Sequence, residues 1–226
     1  MDQNFRLSDG GLINRDKKLS FKFNSKTYYG YEGDTLASAL IANGVHLIGR
    51  SFKYHRPRGF FGAGVDEPYA IVQLYRNGET EPNIKATEQE LFEGLEAESV
   101  NCWPNVNFDI GAINNFLRMF FPAGFYYKTF MWPRSFWYKI YEPIIRKAAG
   151  FGKASIKHDK ERYEHKYEYC DLLIAGSGPS GLASAYAAAK NGARVILAED
   201  KARFGGTLLT SEVNIGNKSG KEWAEG

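Results

Sequence analysis

The feature that most constrains the fold is a glycine pattern between two apolar runs late in the chain. Residues 171–200 read DLLIAGSGPSGLASAYAAAKNGARVILAED. The run from Leu172 to Ala175 predicts a parallel strand covered on both faces. An Ala-rich helix is predicted from Pro179 to Asn191, and a second strand from Arg194 to Ala198. The order strand, turn, helix, strand indicates the start of an α/β Rossmann-like dinucleotide-binding domain in residues 169–226.

The turn has the spacing G-x-G-x-x-G, in which each glycine has a separate physical task. Gly176 permits a tight turn, Gly178 lets the backbone approach a pyrophosphate, and Gly181 allows the helix to pack closely on the strand. The phosphates would lie at the helix N-terminus. The whole turn is therefore the candidate cofactor site, namely Gly176, Ser177, Gly178, Pro179, Ser180 and Gly181.

Two later segments could complete this site. Glu199 follows the second predicted strand, where a carboxylate accepts hydrogen bonds from ribose hydroxyls and repels a 2′-phosphate. This favours NAD, or alternatively FAD, over NADP, and Asp200 could take the place of Glu199. The pair Gly205-Gly206 would bring more backbone near the cofactor, or would form a plain surface turn. The alternative for the whole segment is a Rossmann-like turn that binds no cofactor.

The region before this domain predicts an α+β unit. We expect residues 1–18 to form a flexible arm and residues 19–100 to fold as a small β-grasp unit. Alternation at its start predicts a hairpin, and a helix is predicted from about Thr35 to Asn43 with Asp34 as its N-cap. The pair Asn77-Gly78 predicts a second hairpin turn.

Residues 101–168 are much richer in aromatic residues than the rest of the chain, because 18 of the 34 aromatic residues lie between positions 101 and 169. Prolines divide this segment and leave short predicted helices from Ile113 to Phe120 and from Ser135 to Ile140. We expect it to wrap over a larger body. An interfacial membrane segment is the alternative, because basic residues alternate with the rings. No apolar run reaches the roughly 18 residues of a membrane span.

Charge and cysteine content exclude several functions. A net charge of +3 does not favour nucleic acid as a partner. Cys102 and Cys170 have neither disulfide nor metal spacing and indicate reduced cytoplasmic thiols, and the four histidines show no metal pattern. The basic loop from Lys53 to Arg58 is interpreted as solvated, with a phosphate or acidic-partner site as the alternative. We predict no catalytic and no metal-binding residue, so chemistry would come from a bound cofactor.

Several segments together resemble the alpha subunits of heterotetrameric sarcosine oxidases over nearly the whole chain. They are GDTLASALIANGV, GRSFKYHRPRGFFGAG, LEAESVNCWPNV, FPAGFYYKTFMWP and CDLLIAGSGPSGLASA. The resemblance implies oxidative demethylation of sarcosine to glycine, one-carbon transfer to tetrahydrofolate and formation of hydrogen peroxide. It implies beta, gamma and delta partner subunits, with FAD and FMN held mainly by the beta partner. It also implies NAD at Gly176, Gly178, Gly181 and Glu199.

The family's first domain is similar to a 2Fe-2S ferredoxin. Because no cysteine lies between Met1 and Val100, the sequence predicts a ferredoxin-like unit with no iron-sulfur cluster. The resemblance also implies that the nucleotide-binding region is incomplete and the folate-binding domain absent, so we expect the chain alone to be inactive. Two alternatives are a subunit of a related amine or opine dehydrogenase and a non-catalytic binding or assembly module.

Overall fold

The chain divides into two units, Met1–Asp159 and Lys160–Gly226. The computed structural model describes residues 3–121, 123–124, 130–158 and 162–226. Each unit has its own sheet, and the predicted nucleotide-binding segment lies in the second unit.

A five-stranded mixed sheet with one helix forms the centre of the first unit. The strands are β1 (Asn14–Phe23), β2 (Lys26–Glu32), β5 (Ile71–Arg76), β6 (Glu79–Lys85) and β7 (Leu95–Ser99), and β3 (Gly49–Arg50) and β4 (Pro57–Arg58) form a separate two-residue ladder. The order across the sheet is β2-β1-β7-β5-β6, with β1 and β7 parallel and the other pairs antiparallel. This is the α+β, ferredoxin-like arrangement that the sequence predicts.

Helix α1 (Leu36–Ala42) is short and covers the sheet with an apolar face. Leu36 and Leu40 are fully buried with Phe21, Leu74 and Leu95 of the strands. Burying side chains of this size contributes roughly 1.5 to 3 kcal/mol each. The sheet–helix interface is therefore the main core of the unit.

The N-cap of α1 differs from the prediction. Thr35, not Asp34, caps the helix, because the Thr35 hydroxyl accepts from the Ser38 N–H while the Ser38 hydroxyl accepts from the Thr35 N–H. Asp34 is buried and instead accepts two hydrogen bonds from Arg6, at 2.7 and 3.1 Å. Part of the predicted flexible arm is thus attached to the core, and β1 begins at Asn14, inside that arm.

In its described residues, the aromatic-rich segment contains only short helices. They are α2 (Ile113–Phe116), single 3-10 turns at Ile110–Ala112, Arg118–Phe120 and Arg134–Phe136, one π turn at Trp137–Tyr141 and α3 (Glu142–Ala149). Many large apolar side chains here are exposed, among them Phe116 and Trp132. Within the described ranges, no helix has both the length and the apolar character needed to cross a bilayer.

The second unit begins with the predicted parallel strand pair. Its elements are β8 (Leu172–Ala175), α4 (Pro179–Lys190), β9 (Val195–Ala198), a 3-10 turn (Gly206–Leu209), β10 (Asn214–Ile215), β11 (Lys218–Ser219) and α5 (Gly220–Glu225). Strands β8 and β9 pair in parallel from Leu172–Val195 to Ala175–Ala198. The predicted covering of both faces is not found within this unit, because the Leu173 side chain is 63% exposed.

Candidate dinucleotide-binding site

The glycine turn joins β8 to α4, and two of its glycines are required by the backbone. Gly176 has φ +95°, a conformation that residues with a side chain rarely adopt. A Cβ on Gly181 would lie 2.1 Å from the carbonyl oxygen of Gly176. Gly181 therefore allows the first turn of α4 to pack directly against the end of β8.

The N-terminus of α4 is open. Gly178 is the N-cap residue and Pro179 is the first helical residue, and no side chain caps the helix. The first N–H groups of a helix have no partner within it and form its positive end. A Cβ on Gly178 would have no atom within 4 Å, so no described residue fills the space into which that Cβ would point. This end of α4 has the geometry that accommodates a phosphate.

Glu199, just after β9, is bound to the glycine turn. Its Oε2 atom accepts hydrogen bonds from the Ser177 N–H at 2.7 Å and from the Ser177 hydroxyl. Its Oε1 atom accepts from the N–H groups of Asp200 and Lys201, each at 3.0 Å. Hydrogen bonding, chiefly from the Ser177 hydroxyl, lowers the pKa of Glu199 to about 2. The carboxylate is therefore charged at neutral pH.

The pair Gly205-Gly206 lies against the same turn. The Gly205 N–H donates to the Ser177 carbonyl oxygen at 3.0 Å, and a Cβ on Gly206 would lie 3.1 Å from the Cα of Gly178. Asp200, the suggested substitute for Glu199, has an exposed carboxylate 3.7 Å from the Lys201 ammonium group. The structure thus brings together the turn, Glu199 and the glycine pair. Asp200 takes part through its backbone N–H, which donates to Glu199, and not through its carboxylate.

This arrangement suits binding and orientation. It offers backbone N–H groups and a helix N-terminus to an anion, and a charged carboxylate to a hydroxyl donor. Both features lie at the carboxyl ends of parallel strands, where open α/β sheets bind ligands.

The basic loop of the first unit is solvated only in part, because Arg56 is exposed whereas His55 is bound to another side chain. The His55 ring nitrogen Nδ1 lies 2.6 Å from the Asp109 carboxylate, and the His55 side chain is only 12% exposed. Arg50 donates twice to the Val106 carbonyl oxygen, at 2.9 and 2.7 Å. No local pattern predicts these contacts, because the partners are more than 50 residues apart.

Two further groups of the first unit have shifted pKa values: the buried Glu67, which the sequence did not single out, and the partly buried Cys102. Glu67 is 1% exposed and accepts four backbone hydrogen bonds from residues 61, 62, 69 and 70. Burial raises the pKa of Glu67, but these four bonds outweigh it and the net shift is downward. Burial, aided by the Asp109 carboxylate, raises the pKa of Cys102 to about 11. Cys102 is therefore a thiol at neutral pH and a poor nucleophile.

Comparisons with known proteins agree with this division of the chain. Residues 16–102 match a family described as 2Fe-2S iron-sulfur cluster binding domain, and residues 171–223 match one described as FAD dependent oxidoreductase. Over 97% of its length the chain is 54% identical to sarcosine oxidase subunit alpha of Rhizobium meliloti (strain 1021). The chain is a homologue of sarcosine oxidase subunit alpha.

More distant alpha subunits match almost as much of the chain. Those of Corynebacterium sp. strain U-96 and strain P-1 are 29% and 30% identical over 88% and 89% of the chain. The chain spans 22% of the Rhizobium alpha subunit and 16% of each Corynebacterium alpha subunit. The predicted resemblance to sarcosine oxidase alpha subunits is confirmed over this chain. Most of the length of each whole alpha subunit lies outside the matched range.

The prediction of no iron-sulfur cluster is contradicted by the match of residues 16–102. The prediction used cysteine positions alone, whereas the match extends over the sheet and α1. Cys102 is the one cysteine in that range, and the described residues contain no group of three or more His, Cys, Asp or Glu arranged to hold a metal. Cys thiolates hold a 2Fe-2S cluster, and residues 16–102 offer one such group, Cys102.

The prediction of NAD at the glycine turn also needs correction. The family that matches residues 171–223 is FAD-dependent. NAD and FAD share an ADP half, and the glycine turn and Glu199 carry no signal for the part in which the two molecules differ. The sequence motif alone could not have distinguished them.

Proposed function

We propose that this chain is part of the alpha subunit of a sarcosine oxidase-like flavoenzyme, and that residues 171–206 bind the ADP half of FAD. One observation carries the proposal: the Glu199 carboxylate is hydrogen-bonded to Ser177, which directly precedes the open N-terminus of α4, in a segment that matches FAD-dependent oxidoreductases. The identity to a sarcosine oxidase alpha subunit supports the wider assignment.

Each part of the segment has a distinct role in this proposal. The N–H groups at the start of α4 bind the pyrophosphate, with Gly178 leaving room for close approach. Glu199 accepts hydrogen bonds from the adenosine ribose. Gly205-Gly206 forms the wall of the site beside Gly178. Bound FAD supplies the redox chemistry, which is to accept two electrons from a substrate.

The substrate and the partners are proposed from the relatives. We infer an oxidoreductase complex that acts on the CH–NH group of sarcosine, forms glycine and hydrogen peroxide, and passes the one-carbon unit to tetrahydrofolate. The partners would be the beta, gamma and delta subunits of a hetero-oligomer, consistent with the name subunit alpha of the relatives. Sarcosine-dependent peroxide formation by a complex that contains this chain is the test of this wider assignment.

Competition between ligands tests the dinucleotide site directly. Flavin fluorescence would follow the binding of FAD to the purified chain, with FMN as the matched ligand that lacks the adenosine half. We expect FAD to bind, ADP to displace it, and FMN to bind at least about tenfold more weakly, because FMN makes none of the charge-assisted contacts to Glu199.

Three outcomes would count against the proposal. Equal affinity for FMN and FAD would show that the ADP half is not the anchor. Displacement of FAD by NAD at a much lower concentration than by unlabelled FAD would show that the site belongs to NAD. Failure of ADP to displace FAD would exclude the glycine turn as the binding site.

A further inference from the structure

We propose that Ser177 is a positioning residue that holds the Glu199 carboxylate in place to receive the adenosine ribose. The inference rests on the proposed dinucleotide function and adds a residue to it. The pattern G-x-G-x-x-G leaves position 177 unspecified. In this chain the residue at that position contacts both segments that complete the site.

The contacts of Ser177 join three parts of the chain. Its N–H and hydroxyl both donate to Oε2 of Glu199, after β9. Its carbonyl oxygen accepts from the Gly205 N–H at 3.0 Å, and its hydroxyl oxygen lies 3.3 Å from the same N–H. The glycine turn, Glu199 and the glycine pair are therefore connected through one residue.

Burial indicates that the Ser177 hydroxyl is hydrogen-bonded to groups of the protein and not to solvent. Ser177 is 0% exposed, although most residues of the surrounding turn and helix are exposed. A buried hydroxyl is stable only when it is hydrogen-bonded, and its partner here is a charged acceptor. The bond restricts rotation of the Glu199 side chain, which would otherwise have three flexible torsions. A restricted carboxylate binds a ribose hydroxyl with a smaller loss of conformational entropy.

The Ser177→Ala variant removes the hydroxyl but keeps the backbone N–H. ADP and 2′-deoxy-ADP differ by one ribose hydroxyl, so the ratio of their Kd values isolates the ribose contact from the pyrophosphate contact. In titrations followed by NMR, we expect the native chain to prefer ADP by about tenfold or more. Ser177→Ala should reduce that ratio to below about threefold, near the ratio of Glu199→Gln.

The matched control is Ser184→Ala, which removes a hydroxyl from an exposed residue of α4 and should keep the native ratio. A Ser177→Ala chain that binds both ligands more weakly but keeps the native ratio would overturn the inference, because the hydroxyl would then only stabilise the turn. A ratio above the native value would also overturn it, because Ser177 would then compete with the ribose. A native chain that binds neither ligand would refute the proposed function itself.

A second measurement needs neither a variant nor a ligand. The carboxyl carbon of Glu199 in the native chain can be followed by NMR as the pH is lowered. Because the Ser177 hydroxyl is the main cause of the low pKa of Glu199, we expect the carboxylate to stay ionised at pH 3.5 or so, where an ordinary Glu is mostly protonated. Protonation of Glu199 near pH 4.3 would contradict the contact and therefore the inference.

Discussion

The Gly178→Ala variant should separate cofactor binding from folding. Gly178 has φ −64° and ψ 179°, which alanine adopts without strain, and the added Cβ would meet no atom within 4 Å. Replacing a glycine N-cap by alanine costs at most about 1 kcal/mol. The second unit should therefore fold nearly as well as in the native chain.

Binding should respond much more strongly. The space that the new methyl group would enter is where we place the pyrophosphate, beside the first N–H groups of α4. Losing one hydrogen bond to a charged group costs about 1.5 to 3 kcal/mol. At 1.4 kcal/mol per factor of ten, the affinity for ADP should fall about ten- to a hundredfold.

Two measurements on the same samples check this prediction. Titration calorimetry with ADP gives the affinity, and hydrogen exchange at the α4 amides gives the stability of the second unit separately from the first. A variant that binds ADP like the native chain would refute the placement of the pyrophosphate. A variant whose α4 amides lose protection by more than about 1 kcal/mol would refute the conclusion that the space beside Gly178 is open.

The remaining predictions concern the packing of each unit. Gly181→Ala should destabilise the second unit by roughly 1 to 3 kcal/mol in the same exchange experiment, because its Cβ would lie 2.1 Å from the Gly176 carbonyl oxygen; native protection would contradict this. Arg6→Ala should destabilise the first unit by about 3 kcal/mol in urea unfolding, because Asp34 would keep a buried charge without its partner; a change below about 0.5 kcal/mol would show that Arg6 is not bound to it. The pKa of Glu67 is lowered in the folded state, so ionised Glu67 adds to the free energy of unfolding. This stabilisation is fully present above about pH 4.3, the pKa in the unfolded chain, and is lost as the pH falls through the folded pKa. Glu67→Gln should therefore flatten the acid side of the stability profile, and an unchanged profile would contradict the role of its four backbone bonds.

Local backbone requirements explain what the sequence could predict. The bounds of β8, α4 and β9 differ from the predicted ones by at most one residue, because glycine positions and apolar runs specify this unit within a short stretch. The Asn77-Gly78 turn was also predicted, and both residues have positive φ as a two-residue hairpin requires.

Long-range partners explain what the sequence could not predict. Asp34 and Thr35 are both good N-caps, and the choice depended on Arg6, 28 residues away, which binds Asp34. The predicted solvated loop is mostly covered at His55, because Asp109 contacts the His55 ring from another part of the first unit. Helix α3 was missed because Pro143 was interpreted as an interruption, although proline is favourable in the first turn of a helix.

At the candidate site, too, local features could be predicted from the sequence and long-range contacts could not. The roles assigned to the turn glycines follow from spacing, but the contacts between Ser177, Glu199 and Gly205 depend on how the loop after β9 folds back. Nothing in the pattern of residues 176–181 specifies what lies at position 177. The choice between NAD and FAD likewise depends on groups beyond the shared ADP half.

The most direct test of the central claim is an amide NMR spectrum of the chain titrated with ADP. Binding at the proposed site predicts saturable shifts at the N–H groups of Gly178, Ser180 and Gly181, which begin α4, with smaller shifts at Gly206. Saturable shifts confined to the first unit, or no saturable shift at the start of α4, would contradict the account.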